Sequence, residues 1–586
     1  MHSLLINTSR AKSKTIILFL NITFLFLFFF YLSTSYFIDQ STEPKVTANH
    51  SLVLQESIKT DGCSGIHDYI DYRSKCIYVK SHIGCRPKGY INYLQIFYCT
   101  CGQFSILGYI MLLLWLAVLF YLLGNTAADY FCPALESLSK LLKLSPTIAG
   151  VTLLSLGNGA PDVFASIVSF TRSSNGGVGL NSILGGAFFV SSVVVGVISL
   201  LSGPREIYVD KSSFIRDVCF FLFSLCSLLL IIIVGKISLW GAISFLSIYL
   251  GYVGVVCIMH FDRYRKENRL TVDGNQEEDF LERGIPLLGY VDHEKPILVD
   301  KTTADDQRSS LIFCNLNSPF FYYLGSLLYV LELPLSLPRR LTIPVVSEAR
   351  WSRPFAVISV ALAPILLAAL CTSQKEKEFG SRSSLVAYVI AVLIGMVLCN
   401  LACVTTTKCS PPKKSLFPWL AGGFLMSVTW TYIIAEELVS LLISLGYVLG
   451  INPSVLGLTV LAWGNSLGDL IANVAMAMTG GADGAQIAIS GCYAGPMFNT
   501  LLGLGISLVI SSGSKYPSSF VVPEDPSLYE TIGFLMGGLL WALVILPRKD
   551  MRLDKSLGIG LLAIYLCFLS LTLARSLGLL KLHGFS

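Results

Sequence analysis

The sequence predicts an all-α, polytopic membrane protein made of two inverted five-helix repeats. An N-terminal signal or anchor helix precedes them and two extra helices lie between them. Three observations lead there. Of 586 residues, 53% are hydrophobic and only 13% charged, about half the charged share of a soluble protein, and the mean hydropathy is +0.67. Apolar runs long enough to cross a bilayer recur along the chain. A short polar motif inside one such run returns 307 residues later inside another.

The elements follow in order. Residues 15–37 are apolar and come after Arg10, Lys12 and Lys14. Residues 1–37 therefore read as a signal peptide or a signal anchor. The run is long for a signal peptide and shows no small-x-small cleavage site, which favours the anchor. Residues 38–103 are polar and hold Cys63, Cys76, Cys85, Cys99 and Cys101. On the translocated side such a cluster suits disulfides, with pairing unreadable and one cysteine left over; free thiols or a zinc site are the alternatives. Asn49 opens an N-glycosylation sequon with His50 and Ser51. Helices are expected at 104–124, 146–170, 178–201, 213–234 and 237–260, so the first repeat covers 104–260. The charged stretch 261–353 reads as a cytosolic loop, dispensable for transport itself, with an interfacial piece at 319–337 interrupted by Pro334. Two linking helices, at 354–371 and 383–405, occupy 354–405. The second repeat, 406–586, has helices at 417–446, 453–478, 485–512, 529–547 and 556–577.

Side follows from the basic residues of the short loops. Arg205 and Lys211, then Arg263, Arg265 and Lys266, then Lys408, Lys413 and Lys414, then Arg548, Lys549, Arg552 and Lys555 fall on one face if helices alternate. That face is the cytosol. The net charge of +5 reflects this loop bias and is no nucleic-acid footprint.

The duplicated motif is Gly157-Asn158-Gly159-Ala160-Pro161-Asp162, matched by Gly464-Asn465-Ser466-Leu467-Gly468-Asp469. The same 307-residue offset places Thr152 on Thr459, Pro146 on Pro453, Ala165 on Ala472, and Ala128-Asp129 on Ala435-Glu436. Six helices lie between the two copies, so they start on opposite sides and one is inverted relative to the other. Inverted repeats place a substrate site near the midplane where the copies meet. In each copy an amide and a carboxylate stand four apart, on one helix face. A carboxylate at that depth costs a few kcal/mol, so it is rarely there for packing. Asp, Asn and Ser oxygens are hard ligands that favour alkali and alkaline-earth cations over zinc or copper. Asp162 and Asp469 would supply charge; Asn158, Asn465 and Ser466 would supply neutral oxygens. Thr152 and Thr459 are possible further ligands, with back-bonding to their own helices as the rival role. Gly157, Gly159, Pro161, Gly464 and Gly468 suit broken helices with freed carbonyls. Asp129 and Glu436 are expected near helix ends, as structural or vestibular charges.

This motif pair resembles the two alpha repeats of the sodium/calcium exchanger superfamily. It is most similar to the cation/calcium exchanger branch, which includes plant members and the mitochondrial sodium/lithium/calcium exchanger. The resemblance covers residues 104–577. It implies a ten-helix core with alternating access and ligand roles for Asn158, Asp162, Asn465, Ser466 and Asp469. Classical members have Glu where Asp162 and Asp469 stand, and side-chain ligands where this chain has Gly186, Ala187, Gly495 and Pro496. That departure implies weaker divalent binding and more monovalent transport, with Asn181 and Asn499 as nearby compensating amides.

The expected activity is therefore secondary antiport of Na⁺, K⁺, H⁺ or Ca²⁺, with no enzymatic step and no cofactor beyond the transported cations. The expected partners are inorganic cations and the lipid bilayer; no nucleic acid is expected and no protein partner can be inferred. The membrane is the plasma membrane or an endomembrane such as vacuole or endoplasmic reticulum. An aspartyl intramembrane protease is the rival, because Ser466-Leu467-Gly468-Asp469 is one residue from its Gly-x-Gly-Asp pattern. The inverted duplication has no place in that rival. A receptor or scaffold without transport is a third reading.

Overall fold

The computed structural model describes residues 19–20, 22–27, 63–85, 89–141, 155–172, 177–201, 208–271, 334–346, 350–374, 382–406, 412, 416–479, 481–522 and 525–576. Asn49 and Thr152 lie outside them, as does most of the 261–353 loop. Eleven helices among the described residues are long and apolar enough to cross a membrane. A shorter apolar helix, Gly159–Phe170, lies within Ser155–Arg172.

In chain order the spans are α1 (Ser105–Ala134), α2 (Ser155–Arg172), α3 (Gly177–Leu201), α4 (Lys211–Val234) and α5 (Leu239–Thr271). The linking pair is α6 (Arg353–Gln374) and α7 (Arg382–Thr405). The second set is α8 (Leu416–Leu449), α9 (Pro453–Met478), α10 (Gly484–Ser514), α11 (Pro526–Arg548) and α12 (Lys555–Ser576). Most coincide within a few residues with an expected apolar run, because length and hydropathy dominate helix placement in a bilayer; α1 and α5 run about ten residues past theirs, to Ala134 and Thr271, and α2 is described only from Ser155.

Loop contacts reveal the inversion. A short β-strand in the α4–α5 loop, β1 (Lys236–Ile237), pairs antiparallel with β2 (Phe520–Val521) in the α10–α11 loop. At the opposite end Tyr208, between α3 and α4, bridges Arg552, between α11 and α12. If both repeats ran the same way, the α4–α5 loop would share a face with α11–α12. It shares one with α10–α11 instead.

Among the described residues the apolar interior has two main parts, with small satellites. The larger packs α3, α4, α5, α10, α11 and α12 around Leu184, Phe188, Phe221, Leu504 and Leu539. The other packs α1 and α8 with the cysteine-rich segment, through Leu116, Leu119, Leu438, Leu442, Tyr93 and Phe97. Helix α2 lies at the seam, giving Val163 and Phe170 to one part and Ala165 and Val168 to the other. The linking pair is peripheral: only 11% of α6 and 17% of α7 is buried, against 78% of α3.

In the cysteine-rich segment Cys63 pairs with Cys85 and Cys76 with Cys99, leaving Cys101 free and buried. The N-terminal apolar helix lies against α1, where Phe24 stacks on Trp115 at 6.0 Å. Of the interfacial piece, residues 334–340 are helical.

Two expectations are corrected. The motif helices are not broken: Ser155–Arg172 and Ala462–Thr479 run through Pro161 and Gly468 respectively. Pro161 still removes the donor for the carbonyl four residues back, that of Gly157. The helical irregularity lies elsewhere, as wide π turns at Gly457–Leu461 and, at matching places in the two repeats, Phe189–Val194 and Asn499–Leu504. Such turns are frequent at functional sites. Second, Glu436 is not near a helix end. It is buried in the middle of α8, which is longer than its apolar core. Asp129 sits in a π turn, Ala127–Phe131, and pairs with Arg350 at 2.8 Å. Beyond the interfacial piece, residues 334–346 and Arg350 dock on α1 and α8, through Arg339 and Arg350 to α1 and Thr342 to α8.

Candidate cation site at the repeat seam

The two repeats meet at Asp162, which is 4% exposed. Its carboxylate accepts Asn465 Nδ2 on Oδ1 at 2.8 Å and Asn499 Nδ2 on Oδ2 at 3.0 Å. Both donors belong to the second repeat, so among the described residues a first-repeat carboxylate is oriented by its inverted counterpart. Using their N–H groups on Asp162 turns the carbonyl oxygens of both amides elsewhere. Among the described residues Asn465 Oδ1, Asn499 Oδ1 and Ser466 Oγ are buried without a hydrogen-bond partner. A buried, unpaired oxygen costs about 1–3 kcal/mol, and three beside one carboxylate need a common explanation.

Glycines make the room. A Cβ on Gly186 would stand 3.2 Å from Ser466 Oγ and 3.5 Å from Asp162 Oδ2. A Cβ on Gly159 would stand 1.8 Å from Asn499 Oδ1. Gly186 is thus beside the site although it offers no side chain. Asp469 lies one turn beyond Asn465 on α9, within electrostatic reach of Asp162. Its carbonyl accepts Asn473 Nδ2 at 2.9 Å.

The helix α1 flanks both motifs. Phe120 fills the space over Gly464, where a Cβ would approach its ring to 2.1 Å. Phe131 packs edge-on against Phe164 and touches Ala160.

Other candidates lie apart. Thr459 donates to the Val455 carbonyl at 2.7 Å, bonding back to its own helix. Asn181 is buried but faces the α10–α11 loop, not Asp162: it donates to Asp525 Oδ2 at 3.0 Å and accepts from Ser527. Asp525 in turn caps α11 through the Ser527 N–H. Asn158 lies in α2, one turn before Asp162.

Two buried carboxylates gave no signal in the sequence reading. Asp217 on α4 accepts Tyr252 at 2.8 Å, Ser490 at 2.9 Å and Arg216 at 2.9 Å, tying α4, α5 and α10 together. Glu437 on α8 accepts the Tyr90 N–H and the Tyr93 hydroxyl from the cysteine-rich segment. Neither stands in a repeated motif; the repeat-mate of Glu437 is Tyr130.

A polytopic helical protein with inverted repeats meeting at an oxygen-lined seam belongs to the secondary transporters in architecture. Its family is then fixed by sequence: residues 112–258 and 419–574 match the sodium/calcium exchanger protein family, and the chain belongs to it. The chain is 59% identical over 523 residues to cation/calcium exchanger 1 of Arabidopsis thaliana, covering 89% of this chain and 90% of that one. It is 30% identical to the mitochondrial sodium/calcium exchanger protein of Rattus norvegicus, covering 87% and 89%. The crystal structure of the H⁺/Ca²⁺ exchanger CAX aligns over 80% of this chain and 85% of its own, at 12% identity and a TM-score of 0.39.

Proposed function

We propose that this chain is a secondary cation antiporter that exchanges Na⁺, K⁺ or H⁺, with Ca²⁺ as a further cargo, by alternating access at the seam. The single observation that carries this reading is the pair of amides on Asp162. Asn465 and Asn499 fix the carboxylate with their N–H groups and leave their own oxygens, with Ser466 Oγ, unpaired and buried. A desolvated cation is the partner that would satisfy a carboxylate and three neutral oxygens together. Asp469 and Asn158 supply the remaining motif oxygens, and Pro161 frees the Gly157 carbonyl. With two carboxylates the site holds at most two negative charges, enough for one divalent ion, two monovalent ions or a mixture with protons. The relatives are named for cation, sodium or calcium exchange, and this supports cations as the cargo.

The test is flux in proteoliposomes, with one cation gradient varied at a time and peptide cleavage assayed in the same vesicles. Counter-transport of a cation against another is expected, with no cleavage. Wild-type protein that moves no cation in exchange for any other overturns the reading, and cleavage in its place favours the protease.

A further inference from the structure

Glu437 is a carboxylate on a membrane helix, 6% exposed, that accepts hydrogen bonds from outside the bundle. The Tyr90 N–H and the Tyr93 hydroxyl donate to its two oxygens, the latter at 2.5 Å. Trp115 Nε1 on α1 donates to the same Tyr93 hydroxyl at 2.9 Å. One tyrosine therefore joins α8 to α1. Trp115 lies ten residues into α1, about 15 Å along the axis at 1.5 Å per residue. The cysteine-rich segment is therefore no external cap. Its stretch Tyr93–Thr100 wedges between α1 and α8, with Tyr93, Leu94, Phe97 and Tyr98 all buried. Close approach needs Gly89, where a Cβ would meet Ser440 Oγ at 2.6 Å and Glu437 Oε1 at 2.9 Å. Nearer the outer end His67 Nε2 lies 2.7 Å from the Tyr447 carbonyl of α8.

What the wedge holds bears on the site. α1 and α8 form the smaller apolar body, and α1 lays Phe120 over Gly464 and Phe131 against Phe164. The position of this pair against the larger body fixes the wall of the cation site.

We propose that Glu437 is a positioning residue for exchange: through Tyr90, Tyr93 and Trp115 the disulfide-bonded outer wedge locks α1 and α8 together and sets how strongly the site favours one face. This rests on the antiport reading above. A clasp made in one arrangement of the two bodies shifts the balance between inward and outward access by its differential free energy. Loosening it changes apparent affinity on the two faces in opposite senses.

The test uses full-length protein in oriented vesicles. ⁴⁵Ca²⁺ uptake against Na⁺, or against K⁺ or H⁺ where Na⁺ is inactive, is measured with Ca²⁺ presented to either face. Variants are Tyr93→Phe, which removes only a hydroxyl, Glu437→Gln, and the two combined. The ratio of half-saturating Ca²⁺ on the two faces is expected to move threefold or more in each single variant, in the same direction. The double variant is expected to move it no further than the larger single, because both break one bond. A structural role alone would lower the yield of folded protein and leave the ratio unchanged. An unchanged ratio, or additive shifts, overturns the proposal while wild-type exchange stands. A wild type without exchange overturns the antiport reading and this inference with it.

Discussion

Asp162 has its two acceptor oxygens used by two amide donors, so a single atom exchange there has large effects. Asp162→Asn keeps shape but removes the charge and sets an N–H₂ against other N–H₂ groups. Coupled exchange should fall more than a hundredfold, with normal elution of the folded protein on size exclusion. Asp469→Asn should do the same through charge alone, and transport of a divalent ion should fall furthest in both. Retained wild-type flux at saturating cation in either variant would defeat the paired-carboxylate mechanism. Asn499→Ala removes one hydrogen bond to a charge, about 1.5–3 kcal/mol, and should raise half-saturating cation at least tenfold. Gly159→Ala should match it, since the new methyl must displace the Asn499 amide. At this scale the sequence marked Asp162, Asn465 and Asp469 through their repetition, Ser466 through its place in the second motif, and Asn499 as an amide near the ligand positions that this chain lacks. It misassigned Asn181 and left Glu437 unnoticed. A polar side chain in a membrane helix needs a partner, and which partner it finds depends on loops whose path no periodicity encodes.

Helices were the most legible elements, because bilayer thickness dictates their length. Their interruptions were not. Glycine and proline marked breaks in α2 and α9, yet Ser155–Arg172 and Ala462–Thr479 are continuous, and the wide turns fall at Gly457–Leu461, before the second motif, and at Phe189–Val194 and Asn499–Leu504. The docking of residues 334–346 was equally hidden, beyond the expectation of an interfacial piece at 319–337. Arg339, 2% exposed, donates to Thr126 Oγ1 at 2.9 Å and to the Leu335 carbonyl, and stands over the Tyr130 ring at 5.7 Å. Trp430 on α8 donates to Thr342 at 2.7 Å. This strap ties α1 to α8 at the end opposite the wedge. Arg339→Ala should cost about 2–3 kcal/mol through lost packing and lost bonds, seen as a fall of several degrees in the thermal midpoint of detergent-solubilised protein. Deleting 270–310 should leave both midpoint and exchange unchanged; loss of all flux in a folded, correctly targeted deletion would show that the loop takes part in transport.

On the scale of the whole molecule, inversion was visible from counting crossings, and the division into two apolar bodies was not. Hydropathy assigns every span the same character and says nothing of which neighbour it touches. The cysteine cluster announced disulfides but not their pairing, and its polar composition concealed the buried wedge. Each cystine closes a loop of just over twenty residues, worth about 3 kcal/mol on loop-closure grounds. Thiol labelling of native, unreduced protein should therefore miss Cys63, Cys76, Cys85 and Cys99. Replacing Cys76 and Cys99 with Ser should make the outer segment sensitive to protease at temperatures where wild type resists.

The Tyr93–Glu437 bond joins residues 344 apart in sequence. The ribosome finishes the donor long before the acceptor exists. On the topology read from the loop charges, the segment is translocated first, and α8 then brings a carboxylate for which that segment supplies two donors. In that order the early outer segment would serve as a chaperone within the chain, waiting in the lumen for the second half. Oxidative folding in that compartment becomes a checkpoint for bundle closure, and a cell that reduces its lumen should lose this protein to quality control during synthesis, before any of it reaches its membrane.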